Sequence, residues 1–121
     1  MKKKKKYHVY VIGLKPTALK EKKCIAQNPD FIPGPYSKCY YVGYTGETPE
    51  IRYKKHITGY RNKKNIKTAS TIVEKHAYKK KGLRPSKYKD IQPVSTAEEA
   101  KKIEKELANY LRNKKHFVYQ K

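Results

Sequence analysis

Two short segments of the chain are dense in β-branched and aromatic residues, and the rest changes period around them. Tyr7 to Leu14 (YHVYVIGL) reads as a strand, and Cys39 to Tyr44 (CYYVGY) as a second. Strand alternation puts Tyr10 on one face with His8 and Ile12, and Tyr41 on one face with Cys39 and Gly43. Residues 15–38 between them are polar and carry Pro16, Pro29, Pro33, Gly34 and Pro35. They read as a long inserted connection with a short helical turn around Thr17 to Lys23. The two strands can pair antiparallel across it.

Helical period takes over after Thr45. Thr48 can cap a helix, Pro49 suits its first turn and Glu50 complements the positive end of its dipole. This helix is expected to run to Thr58 and stop at Gly59. Tyr60 to Lys67 reads as a basic loop. Ala69 to Lys81 reads as a helix ended by Gly82, and Tyr88 to Val94 as a third strand. Thr96 and Glu99 form a capping-box pattern that opens the last helix, expected to reach Arg112. Phe117 to Tyr119 then reads as a terminal strand or docking tail. The fold class predicted is α+β, an α/β sandwich: a small, mainly antiparallel three-stranded sheet flanked by helices. Residues 1–6 are expected to be a flexible basic arm and 7–121 a single domain.

Composition changes this picture in two ways. Leu, Ile, Val and Phe number only 22 of 121 residues, which borders on the composition of a disordered chain. Twelve tyrosines offset this, because each can bury a ring and keep its hydroxyl bonded. A thin, tyrosine-rich core follows. The charge is the second change. Thirty-one Lys and Arg against ten Asp and Glu give +21, beyond what solubility requires, and point to a polyanionic partner. Cys24 and Cys39 lack zinc-ligand spacing and read as free thiols of a reducing compartment, the cytoplasm. The apolar stretch after the lysine run stops too soon for a secretory signal, and no segment approaches membrane-spanning length.

Against that background one acid stands out. Ala97, Ala100, Ile103, Leu107, Ala108 and Leu111 form the apolar stripe of the last helix. Glu104 falls within that stripe, whereas Glu98, Glu99 and Glu106 fall outside it. Burying a carboxylate costs several kcal/mol, roughly, unless a cation or metal compensates. A salt bridge to Lys or Arg is the structural alternative. Arg52 and His56, spaced i, i+4, share a face of the capped helix and gain nothing from each other. An anion between them would give the pair a purpose; two solvent-facing residues on a basic helix are the plain alternative.

These pieces, taken in order, resemble the GIY-YIG nuclease superfamily. His8-Val9-Tyr10 stands where the family has Gly-Ile-Tyr, and Tyr41-Val42-Gly43 resembles the second motif. Arg52-x-x-x-His56 and Ala100-x-x-Ile103-Glu104 match the helical Arg/His and metal-binding Glu patterns. The set spans residues 9 to 104, and the similarity is closest to stand-alone bacterial proteins of this type. Two features depart from the common pattern. Thirty residues lie between Tyr10 and Tyr41, where many members have a short connection. Many members also carry an Asn after the Glu, where this chain offers His116 or Gln120.

The resemblance implies metal-dependent hydrolysis of nucleic acid phosphodiesters, with DNA the expected substrate. Glu104 would hold Mg²⁺ or Mn²⁺, Tyr10 would serve the attacking water, and Arg52 would fork onto the phosphate. His56 would bond the phosphate or shuttle a proton, and Tyr41 would shape the pocket. Lys54, Lys55, Arg61, Lys63 and Lys64 would touch phosphates further along a strand. The chain would act as a monomer or weak dimer, away from membranes, with targeting left to a partner protein. The competing expectations are a binder that keeps the fold without turnover, and a basic ribosome-associated protein.

Overall fold

The structure, a computed structural model, describes residues 6–59 and 70–120. It is a small α+β domain built on a mixed three-stranded sheet. Strand β1 (His8–Leu14) pairs antiparallel with β2 (Cys39–Thr45), and β2 pairs parallel with β3 (Phe117–Tyr119), in the order β1-β2-β3. Helices α1 (Lys22–Gln27), α2 (Pro49–Thr58), α3 (Thr71–His76) and α4 (Ala97–Asn113) flank it. Residues 1–5 of the expected basic arm at 1–6, and all of the expected loop at 60–67 with Arg61, Lys63 and Lys64, lie outside the described residues.

Alternation along the strands separates two cores. Tyr10, Ile12, Leu14, Cys39 and Tyr41 face α3 residues Ile72 and Val73 on one side, with Phe117 and Tyr119 of β3. Val9, Val11, Tyr40, Val42 and Val118 face Ala100, Ala108 and Leu111 of α4 on the other. Both cysteines are buried free thiols. Burial pushes the Cys24 thiol up to about 11 and Cys39 in the same direction, so neither is a ready nucleophile.

The third strand is not where the sequence pattern put it. Val94 meets Tyr7 in one isolated bridge, and Tyr88 to Ile91 turn instead of extending. Pro93 carries no N–H and cannot continue a ladder, while Pro85–Lys87 forms a short 3₁₀ turn. The place in the sheet goes to Phe-Val-Tyr at 117–119. Its parallel pairing makes the sheet mixed, not mainly antiparallel.

The helix expected over Ala69 to Lys81 also shortens. Ser70 caps it, but Ala77 turns extended and bridges Leu14. The following residues serve the outer edge of β1, where Gly13 N–H donates to Gly82 O and Arg84 N–H to Val11 O. Gly82 is therefore no helix terminator; a Cβ there would lie 2.5 Å from the Tyr78 carbonyl. The α2 boundaries follow the sequence: Thr48 accepts from Ile51 N–H, and Gly59 ends the helix at φ 65°.

The connection between the tyrosine strands is anchored at both ends. A 3₁₀ helix over Pro16–Lys20 precedes α1, both within the segment read as a long connection. Near its start, the His76 ring bonds Thr17 Oγ1 at 2.8 Å through Nδ1 and Glu21 Oε1 at 2.7 Å through Nε2. At its far side, Asn28 Nδ2 donates to Val118 O and Asn28 Oδ1 accepts from Val118 N–H. A side chain there does the work of a fourth strand and covers the free edge of β3.

Candidate active site

A cleft of about 660 Å³ opens beside Gly43, lined by Tyr10, Tyr41, Arg52 and Glu104 among others. Each arrives by a different route. Tyr10 and Tyr41 come from neighbouring strands, with Tyr10 directly opposite Gly43 in the ladder. A Cβ on Gly43 would stand 2.8 Å from the Tyr41 ring and 2.9 Å from the Tyr10 hydroxyl, so the missing side chain makes room for both phenols. Arg52 reaches the cleft from α2. Glu104 reaches it from α4, and the buried stripe around it holds Ala100, Ala108 and Leu111.

His56 takes a different place. It is fully buried and stacks edge-on to Tyr41 at 5.2 Å. Its Nε2 lies 2.9 Å from the Tyr10 hydroxyl. Arg52 and Tyr41 also bond to the Tyr10 phenol and hold its pKa down. An arginine can only donate to the Tyr10 oxygen, and the direction of the Tyr10–His56 bond follows the imidazole tautomer. Burial nevertheless outweighs these bonds and pushes Tyr10 up to about 12. Tyr41 is raised well above the usual phenol range for the same reason. Both phenols are neutral in this state.

Glu104 is only 8% exposed. Its carboxylate accepts from Gln120 Nε2 at 3.2 Å. Among the described residues no Lys, Arg or His nitrogen pairs with it within 4.0 Å. The salt bridge that would have made Glu104 a structural residue is thus not formed among the described residues. Burial drives its pKa up to about 7, against the opposing pull of Gln120 and Lys101. The other acids of α4, Glu98, Glu99 and Glu106, are exposed. Of the two residues offered in place of the family Asn, Gln120 meets the carboxylate. His116 turns away, accepting from Lys38 N–H and packing on Tyr40.

Gln27, Tyr44, Lys101, Lys105 and Arg112 also line the cleft, and the sequence reading missed them. A signal existed for three. Lys101, Lys105 and Arg112 stand at i, i+4 and i+11, one stripe of α4 beside Glu104. Gln27 carried none, since a lone amide in an irregular segment has no period. Of the expected phosphate contacts, Lys54 is exposed, while Lys55 is held by Glu47 at 2.7 Å.

The arrangement is one carboxylate, the guanidiniums of Arg52 and Arg112, and two phenols around a single opening, with the His56 imidazole buried behind Tyr10. Among the described residues no cluster of three His, Cys, Asp or Glu could enclose a metal. One carboxylate still fits Mg²⁺, which retains several waters and takes further oxygens from a phosphate. Comparison with family models, with curated proteins and with solved structures found no match in any of the three. Among the described residues no helix is long and apolar enough to cross a membrane.

Proposed function

We propose that this protein is a metal-dependent endonuclease of the GIY-YIG type that hydrolyses nucleic acid phosphodiesters, DNA foremost. The observation that carries the reading is Glu104: a carboxylate buried without an ion pair, in a cleft it shares with Arg52 and two phenols. A carboxylate buried without an ion pair among the described residues is costly to ionise, and a bound cation would relieve that cost. The sequence resemblance adds the order of the motifs, and the charge of +21 supplies the affinity for a polyanion.

In this mechanism Glu104 would hold Mg²⁺ or Mn²⁺, and the bound ion would supply Lewis-acid polarisation of the phosphate and offset charge on the leaving oxygen. Arg52 grips a non-bridging phosphate oxygen with its fork. Tyr10 takes a proton from the attacking water as its own proton passes to His56 Nε2. The relay suits the high Tyr10 pKa, because the phenol need never stand as a free anion. His56, buried beneath the tyrosines, serves the proton in preference to the phosphate. Tyr41 holds the Tyr10 oxygen in place. The water oxygen bonds to phosphorus as the ester oxygen leaves. Lys101 and Lys105 flank the opening, and with Lys54 they suit neighbouring phosphates. The two buried free thiols suit a reducing compartment such as the cytoplasm.

The test is cleavage of supercoiled, linear, branched and single-stranded DNA, and of RNA, with Mg²⁺ or Mn²⁺. Glu104→Ala and Arg52→Ala should abolish cutting while binding persists. Unchanged cutting in either variant would overturn the assignment. A second reading, a binder of nucleic acid without turnover, draws on the single carboxylate in the cleft. It predicts salt-sensitive binding that Glu104→Ala leaves intact and no metal-dependent product.

A further inference from the structure

Glu104 is oriented by Gln120, so the question is what orients Gln120. Its backbone is held by the side chain of one residue. Gln27 Nε2 donates to Gln120 O at 2.5 Å, and Gln27 Oε1 accepts from Gln120 N–H at 2.7 Å. Asn28 treats Val118 in the same manner. Residues 118 and 120 present their backbone groups to the same side of an extended chain, so two consecutive amide side chains read alternate residues as a strand would.

Arg112 completes the arrangement. It donates to Gln27 Oε1 at 3.4 Å, Asn28 Oδ1 at 3.2 Å and Val118 O at 3.1 Å. It also donates to Gln120 Oε1 at 3.4 Å. A guanidinium has no acceptor, so it fixes which end of the Gln120 amide it meets. With the oxygen turned to Arg112, the amide nitrogen faces Glu104. The cation therefore acts on the carboxylate through an amide dipole and does not pair with it. Glu104 gains a fixed direction without an ion pair to Arg112.

We propose that Gln27 is a positioning residue for Glu104, acting through the backbone and side chain of Gln120. This rests on the reading of Glu104 as the metal-holding carboxylate. The segment between the tyrosine strands, which resembles an added loop in sequence, is then part of the machinery.

The experiment uses the full chain and two readouts. The first is nuclear magnetic resonance of the metal-free protein, following the Glu104 carboxyl carbon and the Gln120 side-chain amide. The second is Mn²⁺ affinity by electron paramagnetic resonance. Gln27→Ala should displace both signals and weaken Mn²⁺ binding by roughly 10–100-fold, the usual cost of losing an outer-shell partner. Gln120→Ala should weaken it similarly, and the double variant should add little to Gln120→Ala alone. Should Gln27→Ala fail to fold, Gln27→Asn decides, because it keeps the amide but falls one methylene short. Unmoved Glu104 and Gln120 signals, or losses that add in full, would overturn the proposal. Wild-type protein that binds no Mn²⁺ would instead sink the metal reading, and the resonance shifts would still decide the role of Gln27.

Discussion

Two carboxylates in this strongly basic protein meet opposite fates. Glu21 bonds the His76 ring and lies 3.6 Å from the Lys75 ammonium, and these groups hold its pKa below the usual carboxylate range. Glu104 is buried, meets one neutral amide, and has its pKa pushed up to about 7. The first cluster closes on itself: acid, imidazole and hydroxyl satisfy one another and tie the inserted segment to α3. The second leaves one demand open, for positive charge, and it does so in the cleft. A structural polar cluster spends its interactions internally, while a functional one leaves some unspent for a ligand.

The sharpest way to break this contrast is catalytic. Glu104→Ala should take metal-dependent cleavage below detection, whereas Glu21→Ala should leave kcat unchanged in the same assay. Next in size, Tyr10→Phe should lower kcat by roughly 10²–10⁴-fold, the usual worth of a positioned acid–base group. Its circular dichroism should match wild type, separating the proton path from the fold. A third effect concerns pH. On the proposed reading the metal binds ionised Glu104, so at limiting metal the cleavage rate should rise about tenfold per pH unit below its pKa. The rise should level off above about 7. Glu21, whose pKa is lowered, should contribute no inflection there.

The smallest effect is on stability without metal, read from urea unfolding. A raised pKa means that ionising Glu104 opposes folding above about 7. Glu104→Gln should therefore stabilise the protein at pH 8 by roughly 1–3 kcal/mol. The gain should vanish below 4.5, where the acid is protonated in folded and unfolded chains alike. Glu21→Gln should do the reverse: destabilise above 4.5, with the loss fading as pH falls through the lowered folded pKa. Two variants with opposite signs in one experiment would sharpen the contrast; equal signs would dissolve it.

Much of this architecture was legible in the residues, and what was not has a physical cause. The strands at Tyr10 and Tyr41, the capped helix from Thr48 and the last helix all carry local signals of period and cap. Glu104 was visible because an acid inside an apolar stripe contradicts its surroundings. The third strand was misplaced because Tyr88 to Val94 and Phe117 to Tyr119 are both short apolar runs. Only the tertiary fold decides which one β2 accepts. The α3 region shortened because His76 O accepts from Lys15 N–H and Tyr78 N–H donates to Gly13 O, which takes the chain out of the helix and onto the edge of β1. Gln27 and Asn28 were illegible for a deeper reason. Side chains that imitate a strand have no alternation, since their pairing depends on a backbone 90 or more positions away.

The parallel pairing of residues 39–41 with 117–119 also has a consequence in time. The antiparallel pair β1–β2 closes only the connection at residues 15–38, whereas β3 can dock only after most of the chain has been gathered, at greater entropic cost. Folding on this order brings the two phenols together first and seats Gln120 against Glu104 last. A newly made chain would then pass through a stage that is compact, basic and able to hold nucleic acid, yet unable to cut it. Refolding sampled for cleavage and for tyrosine burial should show the second signal leading the first. On the proposed nuclease reading, cutting would begin only once β3 has docked.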